Sequence, residues 1–274
     1  MLFTKWKAKM DLSYWHKQTS EPLYPELVWS KPENKNHAGK LLIVGGNSHG
    51  FSAPAEAFTI ATREGIGVVK VLLPDHIKRQ LVGVNPPTLE MIFAPSTPSG
   101  SFSTKALAEM LDYSLWADGV LLAGDLGHNS ETAILLEKFV SNYLGILMLT
   151  KDAVDYFVEN PKPLINNSNC CLVLTIAQLQ KIAIKLNYTI PFKFNMDVIQ
   201  LVQALHSFTS EFKVTIILKH LNTIFVANNG NVSTTKSQPD ELEAWRLRTA
   251  SKAVVWWIHN PSKTFESLTV SISK

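Results

Sequence analysis

Residues 37–74, HAGKLLIVGGNSHGFSAPAEAFTIATREGIGVVKVLLP, constrain this chain more than any other segment. An apolar run, Leu41 to Val44, ends in Gly45-Gly46-Asn47-Ser48. A helix-like stretch follows, then Gly65-Ile66-Gly67, then a second apolar run from Val68 to Leu73. The pattern predicts strand, glycine turn, helix and strand, a βαβ unit whose turn suits a phosphate. Parallel strands joined in this way need cover on both faces of their sheet. Fold class and ligand class are therefore bounded together; catalysis is not.

The rest of the chain continues the alternation. Asp75-His76 after Pro74 starts a helix, Leu89 to Phe93 is a short strand in a proline-rich stretch, and residues 104–113 are helical. Gly119 to Leu122 is a strand, followed by a helix with apolar positions at Ala133, Leu136, Phe139 and Val140. Ile146 to Leu149 and Cys171 to Leu174 are strands, with a helix over 152–158 between them. Helices over 176–186 and 195–209 precede strands at 214–218 and 223–227. Asn228-Asn229-Gly230-Asn231 is a hairpin turn into Val232 to Thr235, and Pro239 to His259 reads as one long helix. The expected fold is α/β in three layers: a mainly parallel central sheet, helices on both faces and a late antiparallel hairpin. Its ligands belong at the carboxyl ends of the strands.

Residues 1–36 form a leader rich in aromatics (Trp6, Tyr14, Trp15, Tyr24, Trp29) and prolines, read as an arm on the domain 37–274 or on a second subunit, which makes a homo-oligomer the expected assembly. A net charge of +3 suits anionic small molecules and is too small for a nucleic-acid groove. Cys170 and Cys171 are neighbours that point to opposite faces of a strand, so they are read as reduced. With no secretory signal and no apolar run long enough to span a bilayer, the expected location is cytoplasmic, without a membrane partner. The histidines show no metal-ligand spacing, and neither a Walker loop nor a serine nucleophile elbow occurs.

Several blocks, taken in order, resemble the ADP- or ATP-dependent NAD(P)H-hydrate dehydratases, which have a ribokinase-like (carbohydrate kinase-like) fold. Gly39-Lys40-Leu41-Leu42-Ile43-Val44-Gly45-Gly46-Asn47 with Phe51-Ser52-Ala53-Pro54 is similar to the family's opening block. Asp118-Gly119-Val120-Leu121-Leu122-Ala123-Gly124-Asp125-Leu126-Gly127 resembles its D-A-V-V-I-G-P-G-L-G. Thr150-Lys151-Asp152-Ala153-Val154 resembles D-A-D-A-L, and Ile216 to Ile224 resembles V-V-L-K-G-x-x-T-x-I. Coverage runs from about residue 37 to 235. The resemblance implies a lyase that uses ATP or ADP with Mg2+ to repair hydrated NADH or NADPH. It also implies a substrate end at Gly46, Asn47, Ser48, Phe51, Ser52 and Asp152, and a nucleotide end at Asp125, Gly127, His128, Lys219 and Asn222.

Departures cut against that activity. The family's G-T-G-D is matched only by Thr249-Ala250-Ser251-Lys252, inside a helical pattern. Both glycines are gone, and a lysine stands in place of the carboxylate. H-P-G-E has become Thr175-Ile176-Ala177-Gln178, and G-P-G has become Ala123-Gly124-Asp125. Arg246, Arg248 and Lys252 either rebuild an anion site or are the polar face of a helix that buries Leu247, Ala250, Val254 and Trp257. Gly45-Gly46 is either the floor of a ligand site or a plain tight turn, and Asn129 or Ser130 caps the helix after Asp125 in either case. The favoured reading is a catalytically impaired protein that keeps a nucleotide- or NAD(P)H-sized ligand. An active dehydratase and a ligand-free structural protein are the alternatives.

Overall fold

The computed structural model describes residues 11–81, 89–165, 167–237 and 245–273. Their strands are β1 (Trp15–Gln18), β2 (Lys40–Gly45), β3 (Val68–Pro74), β4 (Glu90–Ala94), β5 (Gly119–Gly124), β6 (Ile146–Thr150), β7 (Cys170–Leu174), β8 (Thr215–His220), β9 (Thr223–Asn228) and β10 (Asn231–Lys236). They join in one sheet in the order β1-β10-β9-β8-β7-β6-β5-β2-β3-β4. Neighbours pair in parallel except where β9 runs against β8 and β10. The turn into β10 has Asn229 and Gly230 both at positive φ (46° and 80°), the backbone that a tight hairpin demands.

Strand alternation builds two cores. Leu41 and Ile43 of β2 face the helices Ser52–Glu64, Trp245–His259 and Thr264–Ser271. Leu42 and Val44 face Leu107–Trp116, Ser130–Asn142, Ile176–Lys185 and Val198–Glu211. Both faces of the sheet are covered, so its strands are apolar throughout, with each buried Leu, Ile or Val contributing about 1.5–3 kcal/mol. Cys170 and Cys171 fall one in each core, unbonded.

Local chemistry sets where the helices begin and end. Gly65, at φ 94°, closes Ser52–Glu64 in the left-handed conformation. The helix expected over 195–209 begins at Val198, because Asp197 and Gln200 form a capping box. The helix expected over 152–158 stops at Asp155, with single turns continuing to Val158. In Ser130–Asn142 the core takes Thr132 and Leu135 as well as Leu136, Phe139 and Val140, while Ala133 is half-buried. Of the long helix expected over 239–259, residues 239–244 lie outside the described residues. Trp245–His259 buries Leu247, Ala250, Val254 and Trp257 as expected, and Thr249, Ser251 and Trp256 besides. It is therefore buried almost all round, between the sheet and its two neighbouring helices.

The described part of the leader joins the sheet. β1 pairs in parallel with β10 from Trp15 opposite Val232 to Gln18 opposite Thr235. Buried Gln18 donates to Thr269 O (2.7 Å) and Thr235 Oγ1 (3.1 Å), and its Oε1 accepts from Leu23 N–H (3.1 Å). One side chain thus ties the leader to the last helix. No described helix is long and apolar enough to cross a membrane.

Candidate functional site

β2, β5 and β6 end side by side at the carboxyl rim of the sheet, and their loops meet there. Backbone packing explains the first glycines. A Cβ on Gly45 would stand 2.4 Å from Gly124 O and 2.9 Å from Pro54 Cγ. Gly46 takes φ 85° and donates its N–H to Gly124 O (3.1 Å). The loop that follows is pinned to its neighbours. Asn47 Nδ2 donates to Asp125 O (2.6 Å), while its Oδ1 accepts from His49 N–H (2.7 Å). Ser48 donates through Oγ to Ser99 O (2.8 Å) and through N–H to Gly100 O (3.0 Å). Phe51 stands at the start of helix Ser52–Glu64, its ring packed on the core, and supplies no side-chain cap.

The missing cap comes from the residue that follows β5. Asp125 Oδ2 accepts from Ala53 N–H (2.7 Å) and from Ser52 Oγ–H (3.0 Å), and Asp125 Oδ1 is 2.8 Å from Lys151 Nζ. Burial pushes the Asp125 carboxyl up, but the Lys151 ammonium and the Ala53 and Ser52 hydrogen bonds outweigh it and hold the group below the usual carboxylate range. Asp152, one residue past the lysine, has the opposite balance. Its Oδ2 accepts from Leu126 N–H (2.8 Å) and Gly127 N–H (3.2 Å), and its Oδ1 is buried with no partner among the described residues. Burial pushes this carboxyl above its ordinary value, and the Asp125 charge adds to the push against the pull of the two amides. Tyr156 donates to Gly127 O (2.6 Å) and accepts from Asn129 N–H (3.2 Å), and burial raises its phenol.

Of the residues singled out in the sequence, the fold brings Gly46, Asn47, Ser48, Phe51, Ser52, Asp125, Gly127 and Asp152 to one crevice. His128 lies beside it, exposed. Lys219 and Asn222 do not join them. They end β8 and start its turn, three strands from β5, or roughly 14 Å at ordinary strand spacing. Thr249 and Ser251 are buried in mid-helix, and Lys252 reaches Ser273 O (3.4 Å). Arg246 instead approaches the crevice, through a long contact to Gln178 Oε1 (3.4 Å), while Gln178 Nε2 donates to Lys151 O (3.1 Å).

Sequence reasoning missed Lys151, Tyr156, Gln178 and the Ser99-Gly100 loop as parts of this site. The run of Ser and Thr from Ser96 to Ser103 was the available signal for the loop. A groove of about 700 Å³ opens elsewhere on the same rim, between the ends of β1 and β10 and the β8–β9 turn. Trp15, Lys17, Val198, Thr223, Lys236 and Ile272 line it, among others.

No protein-family model matches this chain, and no curated protein matches it. Solved structures do. A ribokinase-like superfamily protein from Enterococcus faecalis V583 superposes with a TM-score of 0.73 at 12% identity, covering 96% of this chain and 87% of that one. The fold is ribokinase-like. A hypothetical protein from Streptococcus mutans gives a TM-score of 0.67 at 15% identity, covering 90% of this chain and 84% of its own. The ADP/ATP-dependent NAD(P)H-hydrate dehydratase of Bacillus subtilis, co-crystallised with ATP and Mg2+, gives 0.64 at 12%, covering 92% and 86%. Across such distances the shared property is the fold.

Proposed function

We propose that this chain is a nucleotide- or dinucleotide-binding protein whose phosphoryl-transfer machinery is impaired. One observation carries the reading: the segment Thr249 to Lys252 lies inside helix Trp245–His259, past its first turn. Backbone N–H groups there are committed within the helix and offer no cradle to a phosphoryl group. No carboxylate stands in the segment to accept a proton from an attacking hydroxyl.

The donor set of the crevice does not fit Mg2+. Both oxygens of Asp125 are engaged by Lys151, Ser52 and Ala53. The unpartnered Asp152 Oδ1 faces Gly124, where even a Cβ would come within 2.7 Å. A magnesium ion that keeps several waters needs more open oxygens than these.

Ligand binding is supported by the rim itself. Gly46, Asn47, Ser48, Phe51, Ser52 and Asp152 are the proposed contacts for an uncharged ring-bearing end, such as nicotinamide. Gly127, His128, Lys219 and Asn222 are the proposed contacts for the nucleotide, with Asp125 shaping the loop between them. The 700 Å³ groove beyond Lys219 is the size of a small-molecule site. Self-association is part of the same reading, through the leader face that exposes Trp29.

Thermal denaturation with ADP, ATP and NADH tests the binding, since a ligand held by the native state alone raises the melting temperature. A saturable shift is expected. Incubation with hydrated NADH, ATP or ADP and Mg2+, followed by NADH absorbance, should show no turnover. Turnover would replace this reading with an active carbon–oxygen lyase; no shift with any nucleotide would leave only a structural role.

A further inference from the structure

The crevice between β2, β5 and β6 is crossed by an ion pair that none of the proposed ligand contacts explains. Lys151 Nζ and Asp125 Oδ1 are 2.8 Å apart, with side chains 30% and 19% exposed. The other oxygen of the same carboxylate takes the Ala53 N–H at the start of a 13-residue helix, and the Ser52 hydroxyl. An ammonium, a helix-end amide and a hydroxyl are the groups that a phosphoryl oxygen seeks. All three are held by a carboxylate of this chain.

The backbone of Lys151 is placed independently of that carboxylate. Gln178 donates to its carbonyl oxygen (3.1 Å) and to Asp155 Oδ1 (2.8 Å), and is fixed in turn by the capping box it forms with Thr175. Arg246 brings a second cation to Gln178 Oε1. With Asp125 removed, the Lys151 ammonium would lose its carboxylate partner while its backbone and the Arg246 contact to Gln178 remain.

We propose that Asp125 is a specificity-determining residue, an internal anion that excludes the phosphoryl part of a ligand from this crevice. An incoming phosphate must displace it from Lys151 and then face its charge at short range, which is discrimination by repulsion. The crevice is left to an uncharged or hydroxyl-bearing part of the ligand, and the phosphates are directed along the rim towards Lys219. This inference rests on the reading that a nucleotide binds at the rim.

Calorimetric titration of the full chain with inorganic pyrophosphate, ADP and adenosine tests it. Asp125→Ala and the isosteric Asp125→Asn should each tighten pyrophosphate binding by about tenfold relative to adenosine, as expected when a short-range like charge is removed. Adding Lys151→Ala to either variant should abolish the gain. Unchanged pyrophosphate affinity in the variants that fold, or a gain that survives Lys151→Ala, overturns the proposal. A wild-type chain that ignores ADP defeats the nucleotide reading yet leaves the pyrophosphate comparison intact. Equal pyrophosphate affinities defeat the role of Asp125 and leave ADP binding standing.

Discussion

The two halves of the sheet's carboxyl rim are built on opposite plans. Between β2, β5 and β6 the loops fasten to one another: Asn47 to Asp125, Ser52 and Ala53 to Asp125, Asp125 to Lys151, and Ser48 to the Ser99-Gly100 loop. Between β1, β10 and the β8–β9 turn a groove stays open, with Lys17, Lys236 and Thr223 among its lining. Polar groups that satisfy each other tie the loops together and leave fewer free partners for the charged part of a ligand. Lysines and hydroxyls facing open space remain available to a ligand. The fold supplies the rim, and the residues on each loop decide whether a given stretch of it is closed or receptive.

The contrast can be broken most severely at its closed end. Gly45→Ala drives a Cβ into the carbonyl of Gly124, a backbone atom with nowhere to go. A loss of about 3 kcal/mol or more is expected in urea denaturation. A near-neutral result would show that β2 and β5 part more easily than the crevice hydrogen bonds suggest. At the open end, Gln18→Ala strands the Leu23 N–H and removes one of the two donors to the Thr269 carbonyl, which keeps the Ile272 N–H, and should cost about 2 kcal/mol. Amide exchange of β1 should accelerate with it. If the open half takes the phosphates, Lys219→Ala should weaken ADP binding by about tenfold, near 1.4 kcal/mol, in a calorimetric titration. Unchanged affinity would move the phosphate site away from β8. Trp15→Phe removes the indole N–H donated to Thr234 Oγ1 (2.9 Å) at the groove wall; a loss of about 1 kcal/mol in thermal denaturation is expected.

The smallest net effect lies in the acid limb of stability, because the two carboxylates oppose each other. The Asp152 carboxyl is raised on folding, so its contribution is complete below its unfolded value and is lost as pH rises through the folded one. The Asp125 carboxyl is lowered, so its contribution is present above its unfolded value and is lost as pH falls through the folded one. Melting temperatures from acid to neutral pH should therefore show Asp152→Asn gaining on the wild type as pH rises. Asp125→Asn should fall behind over the same rise. Parallel curves for both variants would mean that neither group is perturbed in the crevice.

Much of the fold was legible because its signals are short-range. The runs Leu41 to Val44 and Val68 to Leu73, the helix between them and the Asn229-Gly230 turn are set by neighbours in sequence, and they stand where the pattern put them. The leader strand was not legible, since Trp15–Gln18 is a strand by virtue of pairing with β10, more than 200 residues away (for example Trp15 with Val232). The site divides in the same way. The glycine turn and Asp125 could be singled out from local pattern. Lys151 could not, because its meaning lies in a partner across the β5–β6 boundary.

The sequence by itself determined the order of the strands from β2 to β10 and the covered parallel sheet. Periodicity and turn chemistry act over a few residues and need no knowledge of distant ones. Only the tertiary structure decided which polar groups are consumed by each other and which stay open. A hydrogen bond or ion pair depends on where its partner sits: Asn47 and Asp125 meet across 78 residues, and Asp125 and Lys151 across 26. The same aspartate that in sequence resembles a ligand residue is, once folded, the counter-ion of a lysine.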